Sequence, residues 1–268
     1  MKRLLTSFVI AVLILSLSGI SIAAAPPIEI PGKSPPELNK AVFVHYPKGL
    51  EAKGGIPGPP DKPPKPDDGD GGGGKLWYKD SGIQWVTPKA DFLYNPTGAP
   101  PGNFLSAVQK GFDTWTAVES SNFTFGNGST SIVYGISSLD NYMDGQNVVG
   151  WADLNAEGWP NAIAVTMVWY LGDTILEVDM AFNNNSQFAW SYNGPGDEIW
   201  DNGNTVDKYD VDVQNIATHE VGHWLMLEDL YNKPAGEQTM YGISAEFDLQ
   251  KRSLESGDIA GITSIYPS

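Results

Sequence analysis

There is no cysteine anywhere in the 268 residues. A chain without thiols has no disulfide, no thiolate metal ligand and no cysteine nucleophile, so outside a cell it must rely on its hydrophobic core and on bound ions. Histidine is nearly as scarce, at three, and basic residues number 16 against 32 acidic ones, for a formal charge of −16. A surface of that sign repels phosphate backbones and anionic headgroups, which argues against nucleic acid and membrane surfaces as partners. Apolar runs of the ~20 residues that span a bilayer are missing too. The longest, Leu4 to Leu17, follows Lys2 and Arg3 and leads into Ser21-Ile22-Ala23, which reads as a secretory signal peptide over residues 1–23. An uncleaved N-terminal anchor is the alternative. The mature chain is expected outside the cell, as a monomer.

What the chain has in excess from 24 to 75 is proline and glycine, with Pro57 to Pro66 leading into Asp67-Asp68-Gly69-Asp70 and the run Gly71 to Gly74. Such composition buries too little apolar surface to offset chain entropy, so this stretch reads as a linker or pro-segment. Only Ala41 to Tyr46 looks like a short ordered piece within it. From 76 to 268 the composition turns to alternating apolar runs and turns, enough for one domain.

Two of the three histidines stand in His219-Glu220-Val221-Gly222-His223. Four apart on a helix, they share a face and can reach one metal ion, with Glu220 beside them. An amphipathic helix with two incidental histidines is the bland alternative. A catalytic zinc takes three protein ligands and leaves a fourth position to water or substrate. The only other histidine, His45, is distant in sequence, so the third ligand is expected to be a carboxylate, and Asp229 lies six residues past His223. A carboxylate beside the activated water takes its proton and returns it to the leaving amine, the role expected of Glu220.

The run from His219 to Asp229 resembles the metzincin metallopeptidases, whose pattern is His-Glu-x-x-His-x-x-Gly-x-x-His, with Asp in the last place in some members. Thr239-Met240-Tyr241-Gly242 looks like the Met-turn of that clan, and Leu254 to Ile262 resembles the closing helix of matrixin-like domains. The resemblance implies an α/β (α+β) zincin-like domain with a twisted mixed five-stranded sheet, two long helices and a short C-terminal helix. It also implies zinc held by His219, His223 and Asp229, and polypeptide substrates. One position departs from the pattern: Met226 stands where the family has Gly, which leaves Glu228 as a rival to Asp229. Matrixins often stay latent through a cysteine on the zinc, which this chain cannot do. Asp67, Asp68, Asp70 or His45 would have to replace it, and a spacer with no inhibitory role is the simpler reading.

The remaining elements follow from periodicity. Ile83 to Thr87 reads as a first strand ending at Pro88, and Phe104 to Val118 has helical spacing. Phe123 to Phe125 and Val148 to Ala152 are short strands, and Ala162 to Tyr170 and Ile175 to Phe182 form a hairpin about Gly172-Asp173. By the resemblance, the first arm of that hairpin is an antiparallel edge strand that holds an extended substrate. Asp212 to Leu225 is the metal helix. The acidic loop from Asn183 to Asp212, with Asp197, Glu198, Asp201, Asp207, Asp210 and Asp212, reads equally as a structural calcium site or a solvated loop. The tryptophans are core by default, and Asn122, Asn127 and Asn184 stand in glycosylation sequons.

The function expected is therefore a secreted zinc endopeptidase. The alternative is a catalytically weak or inactive secreted or cell-surface binding protein on a zincin scaffold, with Met226 misplacing the third ligand.

Overall fold

The computed structural model describes residues 37–50, 77–193 and 208–268, most of whose regular elements are short strands. The signal segment, the stretch 51–75 with Asp67, Asp68 and Asp70, and the acidic loop positions 197, 198, 201 and 207 lie outside the described residues. The strands are β1 (Leu38–Pro47), β2 (Lys89–Ala90), β3 (Leu93–Tyr94), β4 (Thr124–Phe125), β5 (Ser129–Thr130), β6 (Val148–Ala152), β7 (Ala164–Leu171), β8 (Thr174–Asn183), β9 (Phe188–Ser191), β10 (Tyr209–Asp212) and β11 (Ile243–Ser244). Among the described residues three α-helices join them: α1 (Leu105–Thr116), α2 (Val213–Trp224) and α3 (Ser256–Ile265). Among the described residues no helix is long and apolar enough to cross a membrane.

The main sheet is mixed and seven-stranded, in the order β11-β1-β7-β8-β6-β3-β5, where five strands were expected. β2 with β4, and β9 with β10, form separate parallel pairs. The hairpin between β7 and β8 turns at Gly172, whose φ of 64° is the backbone state a two-residue loop needs. Ile83 to Thr87 is not a strand. Only Gln84 bridges to Thr174, because Trp85 is spent elsewhere: its Nε1 donates to Trp224 O at 2.8 Å and its N to Tyr266 Oη at 2.7 Å.

β7 is also not an edge strand, contrary to expectation. β1 pairs with it antiparallel from Leu38↔Leu171 to His45↔Ala164, and β8 takes its other side. The outer strand comes from the stretch read as a linker, and the ordered piece around Ala41 to Tyr46 is longer than its apolar core suggested. In β1 side chains alternate, so Ala41 and Phe43 join the larger core beneath the sheet while Val44 and Tyr46 join a smaller one above it. Trp115, Trp151, Trp190 and Trp224 are all buried in the larger core.

Helices α1 and α2 pack beneath the sheet. They approach closest at Gly111, where a Cβ would lie 2.9 Å from both the Ala217 Cβ and the Thr218 N, and Trp115 Nε1 donates to Thr218 O at 2.7 Å. α2 starts at Asp212, whose carboxylate accepts from the Asn215 N–H at 2.8 Å in the usual N-cap manner. The same carboxylate is held by the Arg252 guanidinium, so Asp212 serves the helix start.

Candidate metal centre

α2 carries His219 and His223 one turn apart, with ring centroids 4.9 Å apart and planes nearly perpendicular. Each Nδ1 lies 2.7 Å from a backbone carbonyl, Thr239 O for His219 and Leu227 O for His223. A carbonyl can only accept, so each Nδ1 donates its proton, and in the neutral ring each Nε2 keeps its lone pair; the Asp229 carboxylate beside His223 raises that ring's pKa against the effect of burial. Both Nε2 atoms face Asp229 Oδ1, at 3.2 and 3.5 Å. His219 Nε2 and Asp229 Oδ1 are buried without a hydrogen-bond partner. Lone pairs converging on a carboxylate oxygen repel one another unless a cation lies among them. Two neutral imidazoles and a carboxylate, with donor atoms within 4.8 Å of one another, fit zinc.

Asp229 reaches this position because of how α2 ends. The Met226 N–H donates to His223 O at 2.9 Å and the Leu227 N–H to Gly222 O at 3.1 Å, the paired bonds of a Schellman motif. That motif needs a left-handed residue just past the helix, and Met226 supplies it at φ 57°. The chain then turns back: Glu228 N donates to Lys79 O at 2.9 Å and Leu230 N to Met240 O at 2.8 Å. Glu228 points away from the imidazoles and pairs with Lys79 Nζ at 3.1 Å. Asp229 Oδ2 accepts from the Tyr231 hydroxyl at 3.2 Å.

Met240 lies directly under the helix. A Cβ on Gly222 would come within 2.1 Å of Met240 Sδ, so the close approach requires glycine between the two histidines. The turn that carries Met240 is fixed from α3, where buried Asp258 accepts from the N–H groups of Thr239 at 2.8 Å and Met240 at 3.1 Å. Asp258 thereby holds the carbonyl that orients His219.

Glu220 is fully buried beside the imidazoles. Its Oε2 accepts from Thr166 Oγ1 on β7 at 2.5 Å, while Oε1 has no partner. Burial pushes this carboxyl up to about 7 against the pull of His223 and Thr166. Burial also pushes His219 down to about 3, with Lys251 adding to it. For Asp229, burial acts upward, but the imidazoles of His223 and His219 more than offset it and hold the carboxyl well below its ordinary range.

The structure thus brings His219, Glu220, His223 and Asp229 together and leaves Glu228 out. Sequence reasoning missed Thr166, Asp258 and Lys251 as neighbours, since nothing local marks a residue whose partner lies across the fold. It also missed that Phe43 stacks on the His223 ring, with centroids 4.1 Å apart and planes 7° apart. No protein-family model matches this chain, and no curated protein matches it.

Proposed function

We propose that this chain is a secreted zinc-dependent endopeptidase of metzincin, matrixin-like type that hydrolyses polypeptide substrates. The observation that carries the reading is the convergence of two tautomer-fixed Nε2 lone pairs on Asp229 Oδ1 with the buried Glu220 alongside. The zincin-like architecture is supported by the order of elements, with α1 and α2 beneath a mixed sheet, then the Met240 turn and α3.

When bound, zinc lowers the pKa of a water and polarises the scissile carbonyl. His219 and His223 would hold it through Nε2, kept in that tautomer by Thr239 O and Leu227 O, and Asp229 through Oδ1. Glu220 Oε1, the free oxygen, takes the proton of the attacking water and returns it to the leaving amine, while Thr166 holds Oε2 in place. The binding-protein reading rested on Met226 displacing Asp229. With Asp229 Oδ1 3.2 Å from His219 Nε2, no observation favours it.

Metal analysis of four chains tests this. Wild type, Glu220→Gln and Glu228→Ala should each carry one zinc, and Asp229→Ala should lose it. Chelator-sensitive hydrolysis of an unfolded protein should be abolished by Glu220→Gln. A wild-type chain without zinc, an Asp229→Ala that binds zinc as tightly as wild type, or retained turnover in Glu220→Gln would overturn the proposal.

A further inference from the structure

The face of the sheet opposite the helices holds a pair of acids. Glu177 and Asp179 stand two residues apart on β8, on the side of Ala181 in the smaller core, and both are fully buried. Among the described residues no lysine, arginine or histidine forms an ion pair with either. Their hydrogen bonds come from one segment, residues 137–148. Asp179 Oδ2 accepts from Ser138 N at 3.0 Å and Oδ1 from Val148 N at 2.9 Å, while Glu177 Oε2 accepts from Gly145 N. Ser137 Oγ touches both acids, 3.0 Å from Glu177 Oε1 and 3.2 Å from Asp179 Oδ2.

A hydroxyl has one hydrogen. Ser137 can donate it to one carboxyl, so the second contact is a hydrogen bond only where the other carboxyl carries a proton and donates to Oγ. The donors to the pair are all neutral, and two buried carboxylates sharing such a site do not both stay ionised. Burial acts upward on both acids and takes Asp179 to about 7, with the charge of Glu177 adding to it. The surrounding elements supply no counter-charge. Lys40 on β1 bonds Ser138 O instead, at 3.1 Å, and β7 presents Trp169, whose Nε1 donates to Ser138 Oγ at 3.0 Å. The segment itself carries Asp140, Tyr142 and Asp144, and Asp144 adds to the upward push on Glu177. Asp91, whose carbonyl accepts from Asn147, pairs its carboxylate with Lys89.

We propose that Glu177, Asp179 and Ser137 share one proton, and that this proton fastens residues 137–148 to β8 as a pH-sensitive latch. With the proton on Glu177, its Oε1–H donates to Ser137 Oγ and the Ser137 hydroxyl donates to Asp179 Oδ2, so every oxygen of the pair is satisfied; the proton belongs to the pair rather than to one residue. Ile136 and Leu139 pack against the smaller core, so the fastened segment also covers it. A raised carboxyl pKa stabilises the closed latch fully below the ordinary value of about 4, and that stability is lost as pH rises toward about 7. The latch is tight in acid and loosens toward neutral pH.

Amide hydrogen exchange across the acid-to-neutral range tests the latch. After correction for the chemical exchange rate, opening at the N–H groups of Ser138, Gly145 and Val148 should rise about tenfold per pH unit in wild type, ahead of the amides of β7. Glu177→Gln should lose that slope, because its amide donates from Nε2 to Ser137 Oγ and accepts the Gly145 N–H through Oε1 at every pH. Carboxyl carbon NMR of wild type needs no variant: at a pH of about 5.5, above the ordinary carboxyl range, one of the two acids should still be protonated. Both acids ionised at that pH, equal slopes in the two chains, or exchange of the three amides only together with β7 would overturn the proposal.

Discussion

Replacing Met226 by glycine should destabilise the protein, although glycine is the residue that left-handed backbone favours. Two effects oppose each other at this position. At φ 57° a side chain costs about 1–2 kcal/mol relative to glycine, and Met226→Gly recovers that. Yet Met226 is only 2% exposed and belongs to the main core, and truncating a buried Met to Ala costs about 2–5 kcal/mol. Glycine also loosens the unfolded chain by about 0.4–1 kcal/mol. The balance is a loss of about 1–4 kcal/mol, which in a domain of this size lowers Tm by about 2–4 °C per kcal/mol. Met226→Ala separates the two effects, because it loses the packing but keeps a Cβ in left-handed backbone. It should be the less stable of the two variants, by about 1 kcal/mol. Urea unfolding in excess chelator removes any contribution from bound metal. Because the Schellman bonds are made by backbone atoms, both variants should still bring Asp229 to the imidazoles and bind zinc. A Met226→Gly more stable than wild type would refute the packing estimate, and a Met226→Ala as stable as Met226→Gly would refute the strain.

Thr166→Val removes the hydroxyl that holds Glu220 Oε2 while keeping the shape, so zinc content should be unchanged and kcat should fall roughly tenfold, read by steady-state hydrolysis of an unfolded protein. Asp258→Asn cannot accept from Thr239 N, Met240 N and Glu255 N as the carboxylate does, so it should cost about 1–3 kcal/mol by urea unfolding and weaken zinc roughly 10–100-fold in a chelator titration. Asp179 on β8 is pushed up to about 7, burial acting first and neighbouring Glu177 adding to it, and the Glu177 carboxyl is raised as well. A carboxyl whose folded pKa lies above its unfolded value contributes stability that is fully present below the unfolded value and lost as pH rises through the folded one. Tm of wild type should therefore decline from pH 4 toward pH 7 more steeply than that of Asp179→Asn; parallel curves in thermal scans would refute this.

Legibility followed the range of the interactions. His219, Glu220 and His223 are set by one helical turn, the hairpin at Gly172-Asp173 by two residues, and α1 by its apolar spacing, and each stood where its local pattern put it. Ile83 to Thr87 has the composition of a strand and failed as one, because Trp85 is consumed by hydrogen bonds to Trp224 and Tyr266, more than a hundred residues away. Met226 shows the reverse. A family pattern flagged it as wrong for its turn, but the flag read only the local backbone cost, not the burial that offsets it. The ordered core of β1 was visible as an apolar run, while its partner was not, since pairing with Ala164–Leu171 is decided by the edge that β7 leaves open.

An open strand edge is a template for pairing with any other chain. β7 is buried on both faces: Ala164 and Val168 belong to one core, Val165 and Met167 to the other. Charge on the inward faces, one of the usual protections for an edge, is thus precluded by packing. β1, laid antiparallel along β7, satisfies the hydrogen bonds of that edge and adds Ala41 and Phe43 to one core and Val44 and Tyr46 to the other. Because the odd residues of that strand face α2, the same geometry that covers the edge also brings Phe43 and His45 onto the two imidazoles. The pairing that covers β7 therefore also places Phe43 against His223 and His45 against His219.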